Sequence, residues 1–114
     1  MELRYKIWIE KDGKVVFGRG RENILKAIQK EHSLNTAARK LQMSYRAAWG
    51  RLKASEQRMG LKLVEVDATE KGMRLTPRAK VIIERFEKLE KDVEELLAQA
   101  NHEFRSLLED DQEK

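Results

Sequence analysis

Cysteine is absent from the 114 residues, so neither a disulfide framework nor a thiolate metal site can form. Proline occurs once and glycine six times, too few of either for a low-complexity or linker-like chain. Long apolar runs are missing as well. No window approaches the roughly 20 apolar residues of a membrane span, and the opening "MELRYKIWIEKDGK" carries charge where a signal peptide needs a continuous apolar segment. A soluble, cytoplasmic protein is expected. The two histidines, His32 and His102, lie far apart and outside any metal-ligand spacing, so no metal is expected. A phosphate-cradling glycine loop is also lacking. The carboxylates of "ERFEKLEKDVEELL" recur with lysines three or four residues away, as solvated helix pairs do. With no activated nucleophile and no isolated acid–base pair, neither an enzyme nor a cofactor is expected.

What is present in abundance is charge. Charged residues make up 39% of the chain against 40% hydrophobic, which places it among globular, helix-rich proteins rather than disordered ones. Its length suits one compact core plus an extension. The net charge of +4 hides an asymmetry: residues 1–80 carry 19 Lys+Arg against 9 Asp+Glu, whereas residues 81–114 carry 5 against 11. A basic body joined to an acidic tail suits a polyanionic partner such as nucleic acid for the body, or simply two solvated faces.

Residues 3–9, "LRYKIWI", alternate with Leu3, Tyr5, Ile7 and Ile9 on one face, the period-2 pattern of a half-buried strand. Asp12-Gly13 supplies a tight reversal and "KVVFG" pairs back as a second strand. From Arg21 the period changes, and Ile24, Leu25 and Ile28 mark an amphipathic helix ending near "KEHS". Ser33 or Asn35 can cap a second helix with Ala37, Ala38 and Leu41 inward. After the break at "QMS", Ser44 caps a third helix with Ala48, Leu52, Ser55 and Met59 inward and Gly60 as its stop. Paired alanines on both helices fit two backbones crossing closely over a short turn, the packing of a helix-turn-helix. Residues 63–67 and 73–76 then read as two short strands joined by a polar turn, a wing directly behind the third helix. Pro77 suits the first turn of a long final helix. Its residues Ile82, Phe86, Leu89, Val93, Leu96, Ala100, Phe104 and Leu107 form a near-heptad seam. At about 1.5 Å per residue that helix is too long for so small a body, so the seam calls for a partner helix or, alternatively, for folding back on the first helix.

The fold class expected is thus α+β, mainly α: a winged helix-turn-helix with an N-terminal β-hairpin over residues 1–76 and a long C-terminal dimerisation helix over 77–114. On the third helix, Ser44, Tyr45 and Arg46 stand at the end that would enter a major groove, where arginine can donate two hydrogen bonds to a guanine edge. Arg51 and Lys53 can follow the phosphate backbone. Trp49 could touch DNA or lie over the seam between the second and third helices, and its bulk favours packing. Trp8 covers the hairpin or belongs to a dimer contact. In the wing, Thr69, Lys71 and Arg74 can reach a minor groove or flanking phosphates, with Gly72 allowing the reversal, although such a segment is also an ordinary polar turn.

The run "SLNTAARKLQMSYRAAWGRLKASEQRMGLKLVEV", followed by "LTPRA", resembles the N-terminal DNA-binding domain of the molybdate-responsive regulator (ModE-like) family, itself similar to the LysR-type winged helix. The heptapeptide "MSYRAAW", the "LV" entering the wing and the "LTP" leaving it carry the resemblance. It implies a prokaryotic regulator that dimerises largely through the helix after the wing and binds a palindromic operator. The family's glycine-rich wing tip is replaced here by "TEKGM", so its wing contacts do not transfer. The chain ends near the dimerisation helix, without the molybdate-binding modules that the family places beyond it, so direct molybdate binding is not expected. Residues and resemblance together give a homodimeric, sequence-specific binder of double-stranded DNA. A protein-interaction module, with a winged helix on an acidic partner and a coiled-coil tail, is the alternative.

Overall fold

The computed structural model describes residues 2–67 and 72–109. The chain opens with a hairpin of β1 (Trp8–Lys11) and β2 (Lys14–Gly18). Asp12 and Gly13 both take left-handed backbone angles, φ 53° and 78°, the turn whose twist matches that of the strands. The first strand is shorter than the alternation suggests, a correction with a plain cause. Trp8 pairs with Gly18, and at Arg19 the chain leaves the sheet for a helix, so residues upstream of Trp8 have no ladder to join. Leu3, Tyr5 and Ile9, expected on a half-buried face, are exposed. The buried side of the hairpin is β2, through Val16 and Phe17.

Helix α1 (Arg19–Glu31) starts two residues before Arg21 and buries Ile24, Leu25 and Ile28. It ends at His32, whose positive φ of 59° reverses the chain. Ser33, not Asn35, caps α2 (Leu34–Lys40), its hydroxyl accepting from the Thr36 N–H at 3.1 Å. Gln42 then takes φ 58° in the turn to α3 (Tyr45–Met59). There Ser44 accepts from the Ala47 N–H at 3.0 Å, and Gly60 closes the helix in the left-handed region. Ala37, Ala38 and Ala48 are all but inaccessible, as the close α2–α3 crossing requires.

The wing is the antiparallel pair β3 (Val64–Asp67) and β4 (Gly72–Leu75). Thr76 links it to α4 (Pro77–Glu109): its hydroxyl accepts from the Ala79 N–H at 3.1 Å and donates to the Lys62 carbonyl at 2.9 Å. Contacts divide the chain into two units. One comprises Ile7–Ile83 and holds the core of Phe17, Ile24, Leu25, Ile28, Leu52 and Leu63. The other joins the N-terminal residues to α4 from Glu84 onward, with the Leu3 N–H donating to Asn101 Oδ1 at 3.1 Å. No helix among the described residues is long and apolar enough to cross a membrane.

Candidate nucleic-acid interface

The exposed side of α3 is organised by successive four-residue steps. Tyr45 and Trp49 stack with ring planes 8° apart and centroids separated by 6.4 Å, and Lys53 Nζ stands 4.4 Å from the centre of the Trp49 ring. The lysine is anchored in turn, donating to Glu56 Oε1 at 3.0 Å. Aromatic stacking and a cation over a ring are each worth on the order of 1 kcal/mol, enough to hold these side chains in one arrangement. Trp49 therefore corrects the expectation that it packs over the α2–α3 seam. It is 38% exposed, because the alanines filling that seam leave no space for an indole and Trp49 is rotated one residue outward from buried Ala48.

Beside this ladder lies a row of Arg46, Gly50 and Gln57, all exposed. Arg46 makes no hydrogen bond or ion pair among the described residues, so its guanidinium is available to a ligand. Ala47 and Ala54 flank the row. Small residues beside an extended arginine allow a helix to approach a surface closely while one long side chain reaches ahead. Arg51 is exposed on the far flank of α3, away from the Trp49 ladder.

Glu56 was not legible as a functional residue, and it fixes the wing to this helix. Its side chain is buried, with Oε2 accepting from the N–H groups of Leu63 at 2.8 Å and Val64 at 3.2 Å. Burial pushes the carboxyl pKa up, but the Leu63 N–H, the Lys53 ammonium and the Val64 N–H outweigh it and hold the group below the usual carboxylate range. A carboxylate in this position clasps the start of β3 to α3. The available signal was its spacing: Glu56 follows buried Leu52 by one turn, where an apolar residue would be the ordinary choice.

The wing differs from expectation in two respects. Arg74 does not extend freely; it bonds Glu65 at 2.8 Å and lies 3.8 Å from Asp67, and the Glu65 bond, with both carboxylate charges, raises its pKa. Gly72 does not serve the reversal, for it is a strand residue paired with Asp67. A Cβ there would stand 2.6 Å from the His32 carbonyl oxygen, so the glycine permits β4 to press against the end of α1. The adjacent Met73 N–H donates to that same oxygen at 3.0 Å. Thr69 and Lys71 lie outside the described residues. A groove lined by Trp49, Lys53, Lys62, Val66 and Met73 runs between α3 and the wing.

Along α4 the expected seam is uneven. Leu89, Leu96, Phe104 and Leu107 are exposed, with Leu96 at 64% and Leu107 at 75%. Ile82, Val93 and Ala100 are half-buried. Phe86 is a correction: it is already buried within the single chain and presents no face to a partner. Among the described residues no group of three or more His, Asp or Glu is placed to hold a metal ion.

The family profile described as bacterial regulatory helix-turn-helix protein, lysR family, matches residues 23–80, just over half of the chain. No curated protein matches it. Solved structures similar to it include BenM_DBD in complex with benA site 1 DNA, with TM-score 0.58 and 19% identity over 73% of this chain and 94% of that one. ArgP from Mycobacterium tuberculosis gives TM-score 0.53 and 25% identity over 70% of this chain and 29% of that one. DarR from Vibrio fischeri, in complex with DNA, gives 0.56 and 21% over 75% and 28%. The chain spans nearly all of the BenM_DBD chain but under a third of the ArgP and DarR chains.

Proposed function

The chain belongs to the LysR family of bacterial regulatory helix-turn-helix proteins, and from that premise we propose that it is a sequence-specific transcription regulator that binds duplex DNA as a homodimer. Helix α3 enters the major groove of each half of an inverted-repeat operator. The observation that carries this reading is the outer side of α3, where unengaged Arg46 stands beside a pre-stacked Tyr45–Trp49–Lys53 ladder. DNA complexes of BenM_DBD and DarR, which share the fold, support the choice of ligand.

The roles follow from what each group has left to offer. Arg46 donates in bidentate fashion to a guanine edge, a contact worth about 1–3 kcal/mol of discrimination. The Ser44 oxygen accepts from Ala47, which leaves its hydroxyl proton for a base or phosphate, and the Tyr45 hydroxyl serves the same end. Arg51 takes a phosphate. Lys53, held by Glu56 and the Trp49 face, supplies charge from a fixed point. Lys71 and Arg74 carry the wing toward the flanking backbone, Arg74 with its charge already balanced by Glu65 and Asp67.

Dimerisation runs along α4 through Leu89, Leu96, Phe104 and Leu107, with Ile82, Val93 and Ala100 at its edge. A 33-residue helix with that much exposed apolar surface, on the order of 50 Å long, supports pairing with a second copy. A two-fold axis would set the two α3 helices about 34–36 Å apart, one turn of B-form DNA. The "MSYRAAW" heptapeptide favours kinship with the molybdate-responsive regulators, whose DNA-binding domain is similar to the LysR-type winged helix, and the setting is the prokaryotic cytoplasm. The test is a binding titration with Arg46→Ala. Specific affinity should fall about 5- to 150-fold, the equivalent of 1–3 kcal/mol, while affinity for random duplex changes little. Unchanged specific affinity would remove Arg46 from base reading.

A further inference from the structure

A second cationic cluster lies on the opposite flank of α3 from the Trp49 ladder. Arg51, Ser55 and Arg58 share one side of the helix at spacings of four and three residues. Arg21, in the first turn of α1, donates through Nε to the buried Ser55 hydroxyl at 3.0 Å, which brings a third guanidinium to this side. Arg58 donates through Nη1 to the Val15 carbonyl of β2 at 2.7 Å. Arg21 and Arg58 are half-buried and Arg51 is exposed.

The partners of Arg21 and Arg58 are neutral oxygens, and Arg51 has no partner among the described residues. Among the described residues none of the three forms an ion pair with a carboxylate. Their charges act on one another: burial, and then the fields of Arg51 and Arg58, lower the pKa of Arg21. Arginine does not escape such repulsion by losing its proton, so the folded chain holds the positive charges together with no carboxylate partner among the described residues. Each guanidinium has five N–H donors. Among the described residues Arg21 and Arg58 each commit one and Arg51 commits none, so donors are left over on all three. Planar forks with spare donors suit the tetrahedral oxygens of a phosphoryl group.

We propose that Arg21, Arg51 and Arg58 form a binding site for a phosphate-type oxyanion, separate from the base-reading row at Arg46. The anion cancels the mutual repulsion of the three arginines and accepts their unused donors. Its source is either a phosphodiester of bound duplex or a free phosphoryl group; only the first depends on the DNA-binding reading above.

The experiment uses the intact chain and inorganic phosphate. Phosphate is titrated at fixed ionic strength against chloride while the arginine Nε–Hε resonances are followed by NMR, in the wild type and in Arg51→Gln. That variant removes a side chain with no bonded neighbour among the described residues and leaves the Ser55 and Val15 contacts in place. Saturable shifts at Arg21, Arg51 and Arg58 that chloride does not reproduce, weakened at least tenfold in Arg51→Gln, are expected. Shifts identical in phosphate and chloride overturn the site, whatever DNA does. The source is then read from duplex titrations at several salt concentrations. A log–log salt slope reduced by about 0.9 in Arg51→Gln identifies a duplex phosphodiester. An unchanged slope, or no DNA binding at all, beside saturable phosphate shifts identifies a free phosphoryl ligand. In the last case the site stands while the DNA-binding reading falls.

Discussion

Replacing Glu56 by Gln tests how the wing is held to α3. The carboxylate accepts from Lys53 Nζ through one oxygen, and from the N–H groups of Leu63 and Val64 through the other. An amide retains one oxygen and turns the other site into a donor. Whichever way it is oriented, a donor then meets either the ammonium or the two backbone N–H groups. At least one charge-assisted hydrogen bond is lost, about 1.5–3 kcal/mol. For a domain of this size a loss of about 2 kcal/mol lowers Tm on the order of 10 °C. The pH dependence gives a second readout. The folded-state pKa of Glu56 is depressed, so the unfolded chain takes up this proton at a higher pH than the folded one. Its contribution is therefore complete above the unfolded value and is lost as pH falls through the folded one. Thermal unfolding followed by circular dichroism at pH 7 and at about pH 3, at constant ionic strength, measures both effects, the acid point lying below the unperturbed carboxylate range. The wild type should melt well above Glu56→Gln at pH 7, and the gap should narrow at the acid pH. Equal melting temperatures at pH 7, or a gap indifferent to pH, would refute the clasp.

Other perturbations reach different parts of the account. Gly72→Ala places a methyl 2.6 Å from the His32 carbonyl oxygen, a backbone atom that cannot swing aside, and should cost about 1–3 kcal/mol in denaturant unfolding. Gln42→Gly relieves a positive φ of 58° in the α2–α3 turn and should leave stability unchanged or raise it by up to about 1 kcal/mol, as the left-handed penalty is offset by the entropy of a freer unfolded chain. Trp49→Ala removes a partly exposed ring and should leave the fold intact by circular dichroism while weakening DNA binding, since the stack that orders Tyr45 and Lys53 is lost. Leu96→Asp sets a charge in the exposed seam of α4. Sedimentation at micromolar concentration should give a dimer mass for the wild type and a monomer mass for the variant.

What could be read from the sequence was local in origin. The Asp12-Gly13 reversal, the Ser33 and Ser44 caps, the Gly60 stop and Pro77 at the head of α4 each depend on a few neighbouring residues, and the residue types alone indicate them. The buried faces of α1, α2 and α3 follow from helical spacing for the same reason. The extent of β1 did not, because it depends on where β2 gives way to α1. Trp49 was misplaced because bulk argues for burial while the seam beside it was already filled by alanine. The Glu56 clasp, the approach of Gly72 to His32 and the Arg21–Ser55 and Arg58–Val15 bonds join distant parts of the chain. Such pairings leave no period or motif to detect; the only traces were Ser55 and Glu56, polar residues on the buried side of α3.

As proposed above, two copies of this chain present their α3 helices to successive major grooves. Selection of bound sequences from a random duplex library, performed with the intact protein, tests it most directly. An enriched inverted repeat is expected, with half-site centres about 10–10.5 base pairs apart or a multiple of that spacing. Recovery of no preferred sequence, or of a single half-site without a symmetric mate, would contradict it.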